Sequence, residues 1–196
     1  MKLYYAPGAC SLADHIALAE AELPYELAKV DLKTKRVEDG QDFTAVNPKG
    51  YVPALALDDG GVLTENIAVL SYIADKAGAL MPAGGIKRFR ALEMLAFIST
   101  ELHKSFKPFF KLDASQIEKD EAAQTIGKRL QTIADQLSGG DFLLGDALSV
   151  ADCYLFVMLM WARKNGLPLP AGLDGYFDRL KARPGFAKAL SEEGLS

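Results

Sequence analysis

Judged by the spacing of its apolar residues, the chain changes character once, near residue 81. Before that point strand and helix spacings alternate. Lys2–Ala6 reads as a first strand, after which Leu12, Ile16, Ala19 and Leu23 recur on one face of a helix predicted over Leu12–Ala21. Tyr25–Leu32 reads as a second strand in which Ala28, Val30 and Leu32 share one side. Strand, helix, strand in this order predicts a βαβ unit with parallel strands. A basic loop, Lys33-Thr34-Lys35-Arg36, leads into a weakly patterned stretch to Val46, and Asn47-Pro48-Lys49-Gly50 reads as a turn. Val52–Leu57 reads as a third strand with a proline at its start, closed by Asp58-Asp59-Gly60-Gly61 onto Val62-Leu63 as an antiparallel hairpin. Thr64-Glu65-Asn66 then introduces a helix striped by Ile67, Leu70, Ile73 and Ala74, with Gly78 at its C-cap.

Met81-Pro82-Ala83-Gly84-Gly85 has linker composition, and beyond it only helical spacing appears. One helix runs through Phe89, Leu92, Leu95, Ile98, Leu102 and Phe106 and is predicted to stop at Pro108. A second runs through Ile126, Leu130, Ile133 and Leu137 to Gly139-Gly140. Ser149-Val150-Ala151-Asp152 reads as a capping box opening a helix to about Trp161 that is apolar nearly all round, hence central. Leu148 is placed to staple onto Cys153. Two shorter helices, Tyr176–Leu180 and Phe186–Leu190, flank Pro184-Gly185. The predicted fold class is α/β plus all-α: a domain over residues 1–80, a linker over 81–85 and an all-helical domain over 86–196.

Bulk properties narrow the function. The 196 residues are 49% hydrophobic and 24% charged, with no apolar run near the ~18 residues of a membrane span, so no membrane partner is expected. The start, Met1-Lys2-Leu3-Tyr4-Tyr5, enters strand pattern without a secretory h-region, which places the chain in the cytoplasm as an expectation. A net charge of -4 argues against nucleic acid. Cys10 and Cys153 stand far apart, and His15 and His103 form no ligand cluster with either, so neither a disulfide framework nor a metal is expected.

Chemistry concentrates first at Tyr4-Tyr5-Ala6-Pro7-Gly8-Ala9-Cys10-Ser11, where a strand passes through a Pro-Gly turn and delivers a thiol to a helix start. Free amides and the helix dipole there stabilise an anion, so a thiolate is expected below the ordinary cysteine range of ~8.5. Asp14 opposes it, and the alternative is a cysteine that only packs. Ser11 and Asp14 form a box-like capping pattern. His15 lies five residues on and points away from Cys10, as a packing or surface residue. His103, sharing a helix face with Thr100 and Lys104, is either the partner of a reactive thiol or a solvated histidine. Val52-Pro53 is either cis, turning the Val52 amide and carbonyl outward for strand-like pairing with a peptide, or an ordinary trans proline. Glu65 and Asn66 at a helix N-terminus suit an amino-acid headgroup or plain capping. Lys35 suits a second carboxylate or is solvated surface. Cys153 reads as a buried small hydrophobe.

Taken in order, Pro7-Gly8-Ala9-Cys10-Ser11, Asn47 through Leu55, Leu63-Thr64-Glu65-Asn66, Glu101-Leu102-His103-Lys104 and Phe142 through Asp152 resemble the glutathione transferase family. The first segment resembles its beta, bacterial, cysteine-containing class. The resemblance covers essentially the whole chain. It implies a thioredoxin-like first domain, an all-helical second domain, a homodimer, and glutathione as co-substrate without a permanent cofactor. It further implies Cys10 and His103 as catalytic residues flanking the glutathione sulfur, and Val52 beside a cis Pro53 pairing with the cysteinyl backbone. Glu65 and Asn66 are implied at the γ-glutamyl end, Lys35 at the glycine carboxylate, and Thr100 in the same helical wall. Ala96 stands where related enzymes place an asparagine that reaches the partner subunit's glutathione, so the resemblance does not extend to that contact. The implied activity is attack of the glutathione thiolate on a soft hydrophobic electrophile, in detoxification, from a pocket between the domains lined by residues such as Tyr5, Phe106 and Trp161. Because Cys10 is itself a thiol, disulfide exchange or reductive dehalogenation through a Cys10 mixed disulfide is the alternative, and a noncatalytic glutathione-binding module is the third reading.

Overall fold

The computed structural model describes residues 1–137 and 140–195, and these form two compact units, Met1–Ala83 together with Ala182–Ser196, and Gly84–Lys181. The division falls inside the stretch of linker composition. The C-terminal segment departs from the sequence reading: residues 182–195 belong with the first unit, not with the helices that precede them.

The first unit is a mixed five-stranded sheet of order β3-β2-β1-β4-β5. Strand β1 (Lys2–Tyr5) pairs in parallel with β2 (Glu26–Asp31), as the strand–helix–strand order requires, through helix α1 (Leu12–Glu20). On its other side β1 pairs antiparallel with β4 (Ala54–Ala56), which turns back into β5 (Val62–Thr64). The weakly patterned stretch holds two short elements that periodicity did not reveal, β3 (Arg36–Val37), antiparallel to β2, and helix α2 (Phe43–Val46), capped by the Asp42 carboxylate on the Thr44 N–H at 2.9 Å. Neither is long enough to show a period.

Strand alternation sends Tyr4, Ala28, Val30 and Ala54 into one buried cluster with Val37, Phe43 and Val52, while Leu3 and Leu55, paired across β1 and β4, face the opposite way and are also fully buried. Helix α3 (Asn66–Ala77) ends, as predicted, on Gly78 in the left-handed conformation (φ 63°) and packs on α1. Against α1 also lies the last helix, α9 (Pro184–Glu192). Their approach is close because Gly185 has no side chain. A Cβ there would stand 2.7 Å from the Glu20 backbone nitrogen, and in its place the Gly185 N–H donates to Glu20 Oε1 at 3.1 Å.

The second unit is helical. Helix α4 (Gly85–Phe97) does not run on uniformly to Pro108. It passes into a π-helical turn (Ile98–Leu102), a 3-10 turn (His103–Phe106) and α5 (Lys107–Phe110). Pro108 sits in the first turn of α5, where its missing N–H costs no hydrogen bond, so it opens the helix it was expected to end. Helix α6 (Gln116–Leu137) buries Ile126, Leu130 and Ile133 as read; of its expected Gly139-Gly140 stop, Gly139 lies outside the described residues. Helix α7 (Val150–Lys164) is buried along nearly all its length and forms the centre of this unit. At its start Asp152 Oδ2 accepts from the Ser149 N–H at 2.7 Å and from the Ser149 hydroxyl at 2.6 Å, while Oδ1 accepts from the Leu143 N–H and from the Tyr176 hydroxyl of α8 (Leu173–Lys181). Burial pushes the Asp152 carboxyl up against these bonds. Cys153 is fully buried behind it. Among the described residues no helix is long and apolar enough to cross a membrane.

Candidate functional site

In the first unit the chain leaves β1 at Tyr5, turns through Gly8 (φ 69°) and reaches Cys10 one residue before the helix cap. The cap is not the expected box. Ser11 has helical dihedrals, and its hydroxyl oxygen turns back to accept from the Ala6 N–H at 3.2 Å, which ties down the Pro-Gly turn instead of the helix end. Asp14 is fully buried, and neither of its carboxylate oxygens has a partner among the described residues. Burial, reinforced by the field of Glu193, holds its proton well above the usual carboxylate range.

Of the two readings of Cys10, the fold favours the packed thiol over the thiolate. The residue keeps partial exposure, yet its thiol is pushed up to about 12, first by burial and then by the carboxyl of Asp14 one turn away. The backbone amides of Cys10 and Ser11 pull the other way and lose. Cys10 is therefore a protonated donor, and its Sγ–H points to the Val52 carbonyl at 3.4 Å. The Val52–Pro53 bond is cis, the less frequent of the two alternatives, and both residues are buried. On the other side of the thiol, Asn66 at the start of α3 donates from Nδ2 to the Cys10 carbonyl at 3.0 Å. Its bulk, greater than a serine's, thus spans from α3 to the cysteine loop.

The loop before Pro53 is fastened from several directions. Asn47 Nδ2 donates to the Tyr51 carbonyl (2.7 Å) while its Oδ1 accepts from the Lys49 N–H (3.2 Å). Lys35, itself left-handed (φ 57°), donates from Nζ to the Gly50 carbonyl at 2.7 Å, with its stem over Gly50. Glu65 (φ 73°) presents a half-exposed carboxylate whose Oε1 accepts from Lys49 Nζ at 2.5 Å and Tyr51 Oη at 2.7 Å; these bonds, Lys49 first, hold it below the usual range. Lys49 and Tyr51 were not among the predicted site residues. They lie fourteen or more positions from Glu65, and nothing in local pattern links them.

In the second unit His103 opens the 3-10 turn. Its Nδ1 meets Tyr154 Oη at 2.6 Å, and its ring stands edge-on to Trp161, centroids 5.0 Å apart. Burial, then the neighbouring Lys104 charge, depresses its pKa to about 4, so the imidazole is neutral near pH 7. Thr100 spends its hydroxyl on the Ala96 carbonyl (2.9 Å) inside the π-turn. A cavity of about 530 Å3 is lined by His103, Lys104, Lys107, Phe110 and Lys111, without Thr100. The apolar lining expected of Tyr5, Phe106 and Trp161 is not an open surface, since all three are buried. The structure thus assembles Cys10, Val52, Pro53 and Asn66, with Lys35 and Glu65 on the adjoining loop, in one unit, and His103 and Thr100 in the other.

Neutrality of His103 gives a pH test. Its folded pKa lies below the unfolded value of 6.5, so the unfolded chain binds more protons between the two. The stabilisation is complete above 6.5 and is lost as pH falls toward about 4. The change amounts to about 3 kcal/mol at most. Urea unfolding at pH 4.5 and 7 should show a larger acid loss for the natural chain than for His103→Phe; parallel losses would contradict it.

Two family models match, described as the N-terminal and C-terminal domains of glutathione S-transferase, over residues 9–76 and 116–188. The chain is 44% identical over 201 residues to glutathione S-transferase GstA of Escherichia coli O157:H7, with 100% of both chains covered. It resembles the structure of a sphingomonad glutathione S-transferase complexed with glutathione (46% identity, TM-score 0.94, 100% of both chains) and that of the bacterial beta-class enzyme of Sphingomonas chungbukensis (43%, TM-score 0.92, 100% of both chains).

Proposed function

Because the chain belongs to the glutathione S-transferase family and is a transferase with glutathione as its co-substrate, we propose that the first unit holds glutathione around Cys10. In this reading the Val52 backbone, presented by the cis Pro53, pairs with the cysteinyl portion. Glu65 and the α3 N-terminus at Asn66 hold the γ-glutamyl end, Lys35 meets the glycine carboxylate, and Thr100 and His103 belong to the helical unit's share. The observation that carries this is the joining of three segments distant in sequence at one thiol: Cys10 Sγ–H on the Val52 carbonyl and Asn66 Nδ2 on the Cys10 carbonyl.

Chemically, a thiol that keeps its proton serves as donor to a second sulfur that has lost one. The glutathione thiol gives its proton to solvent, Cys10 S–H and the neutral His103 imidazole act as donors to the resulting thiolate, and that thiolate attacks a soft hydrophobic electrophile; the new C–S bond forms as the leaving group departs with its electron pair. The protonated Cys10 favours this route over a Cys10 mixed disulfide. We further propose a homodimer, supported by the exposed Ile86 and Phe89 of α4, and a detoxifying role in the cytoplasm, where Cys10 and Cys153 would stay thiols and form no disulfide.

Calorimetric titration with glutathione, paired with turnover of an aryl chloride, tests the reading in Cys10→Ala. Loss of one donor is expected to lower turnover by about a hundredfold while binding heat persists. Absence of heat with the natural chain, or full turnover in Cys10→Ala, would defeat it.

A further inference from the structure

The cavity beside His103 has the wrong chemistry for an uncharged hydrophobe alone. Its lining includes the side chains of three lysines, Lys104, Lys107 and Lys111, whose stems share an apolar wall with Phe110, and no acidic residue among the described residues; the one histidine is neutral. Its apolar wall is Phe110, half exposed and edge-on to Trp161 at 4.7 Å, with His103 edge-on to the same indole at 5.0 Å. Phe106 packs on that indole from within, at 5.5 Å. A ring entering here meets a rigid aromatic face, and any substituent pointing outward meets lysines.

Acids on neighbouring turns are already engaged. Glu101 pairs with Arg129 at 2.8 Å, and Glu118 accepts from the Ser115 N–H (2.7 Å) and hydroxyl (3.0 Å). Glu118 is held low first by those Ser115 bonds and only last by the Lys111 charge nearby. Lys104 and Lys107 also border a second, shallower groove with Glu118 and Glu121, and together with Lys111 they outnumber those acids.

From this arrangement we propose that the cavity takes an aromatic electrophile bearing a negative charge, a carboxylate or sulfonate, with the ring against Phe110 and the anion among Lys104, Lys107 and Lys111. The assignment rests on the transferase reading for its chemistry and on the lysines for its selectivity. The covalent step is the one given above: the glutathione sulfur forms a bond to the ring carbon, the carbon–halogen bond breaks, and halide leaves. The anionic substituent takes no part in it. The lysines act on binding, and through binding on discrimination between charged and uncharged forms of one substrate.

A chlorodinitrobenzoate and its methyl ester differ chiefly in charge, and Trp161, the chain's one tryptophan, reports binding directly because Phe110 and His103 lie against it. Quenching of Trp161 should favour the acid over the ester by about tenfold at low salt and less at high salt. In Lys107→Gln the preference should fall about threefold, and in the triple Lys104→Gln, Lys107→Gln, Lys111→Gln variant it should vanish. The ratio of glutathione-dependent kcat/KM values, each normalised to its uncatalysed rate, should move the same way. Equal binding of acid and ester, or a preference that survives the triple substitution with circular dichroism unchanged, overturns the proposal. Acid-selective quenching without turnover of either compound upholds the cavity and strikes the transferase reading instead. Turnover of both without selectivity does the reverse.

Discussion

Replacing His15 by alanine should remove about 3 kcal/mol from the unfolding free energy, the cost of leaving buried polar groups without their hydrogen-bond partner. His15 is fully buried on α1. Its Nδ1 meets Glu193 Oε1 at 3.0 Å and its Nε2 meets Glu192 Oε2 at 2.7 Å, across 177 and 178 positions of sequence. Glu193 is itself buried, with its other oxygen accepting from the Gly8 N–H at 2.8 Å, and its field already reaches the unpartnered Asp14. Without the imidazole, the buried Glu193 carboxyl and the partly exposed Glu192 carboxyl lose the group that bridges them. The peripheral contacts cannot replace it. Tyr25 donates to Glu192 and receives Lys188 toward solvent, and Arg183 grips Glu20 through two nitrogens away from the imidazole's partners. His15→Gln retains a single donor and should lose roughly half as much. Urea titration followed by far-ultraviolet circular dichroism measures both, and trypsin should cut earlier at Lys188 as α9 leaves α1. A loss under about 1 kcal/mol for His15→Ala would show that the latch carries little stability.

That latch also marks where sequence reading stops. Periodicity located every long element, because a helix or strand burying one face must repeat its apolar residues at a fixed spacing: Leu12 and Ile16 on α1, Leu70 and Ile73 on α3, Ile126 through Ile133 on α6. Local composition put Cys10 at a strand-to-helix turn, left Val52-Pro53 open between cis and trans, and put Asn66 at a helix start, since turns and caps write themselves into local composition. Pairings made after the chain has folded leave no such trace. The docking of α9 on α1 depends on an imidazole meeting two carboxylates at the far end of the chain and on one missing Cβ at Gly185. The lysine-lined cavity depends on a π-turn at Ile98–Leu102, which no residue pattern announces and which changes the faces predicted for an unbroken helix. The state of Cys10 stays open in the sequence for a related reason. The amides favouring a thiolate are local and visible, whereas the desolvation that defeats them comes from the whole fold.

Cys10 should accordingly resist alkylation. At pH 7 an ordinary thiol near 8.5 is a few per cent ionised; a thiol at about 12 is ionised on the order of one part in a hundred thousand, so iodoacetamide should react on the order of a thousandfold more slowly than with a free cysteine. Rates read by mass spectrometry at Cys10 avoid confusion with the buried Cys153. Asp14 gives the test its second arm. While its carboxyl holds a proton it carries no charge to oppose a thiolate, so Asp14→Asn should change little at neutral pH. Once Asp14 ionises at higher pH, its charge works against that of Cys10, and the natural chain's rate should climb with pH more slowly than the variant's, the gap widening to about tenfold, equivalent to 1.4 kcal/mol. Rapid alkylation at neutral pH would mean that the amides at the helix start outweigh burial after all, and Cys10 would return to the candidacy for mixed-disulfide chemistry that its protonation now argues against.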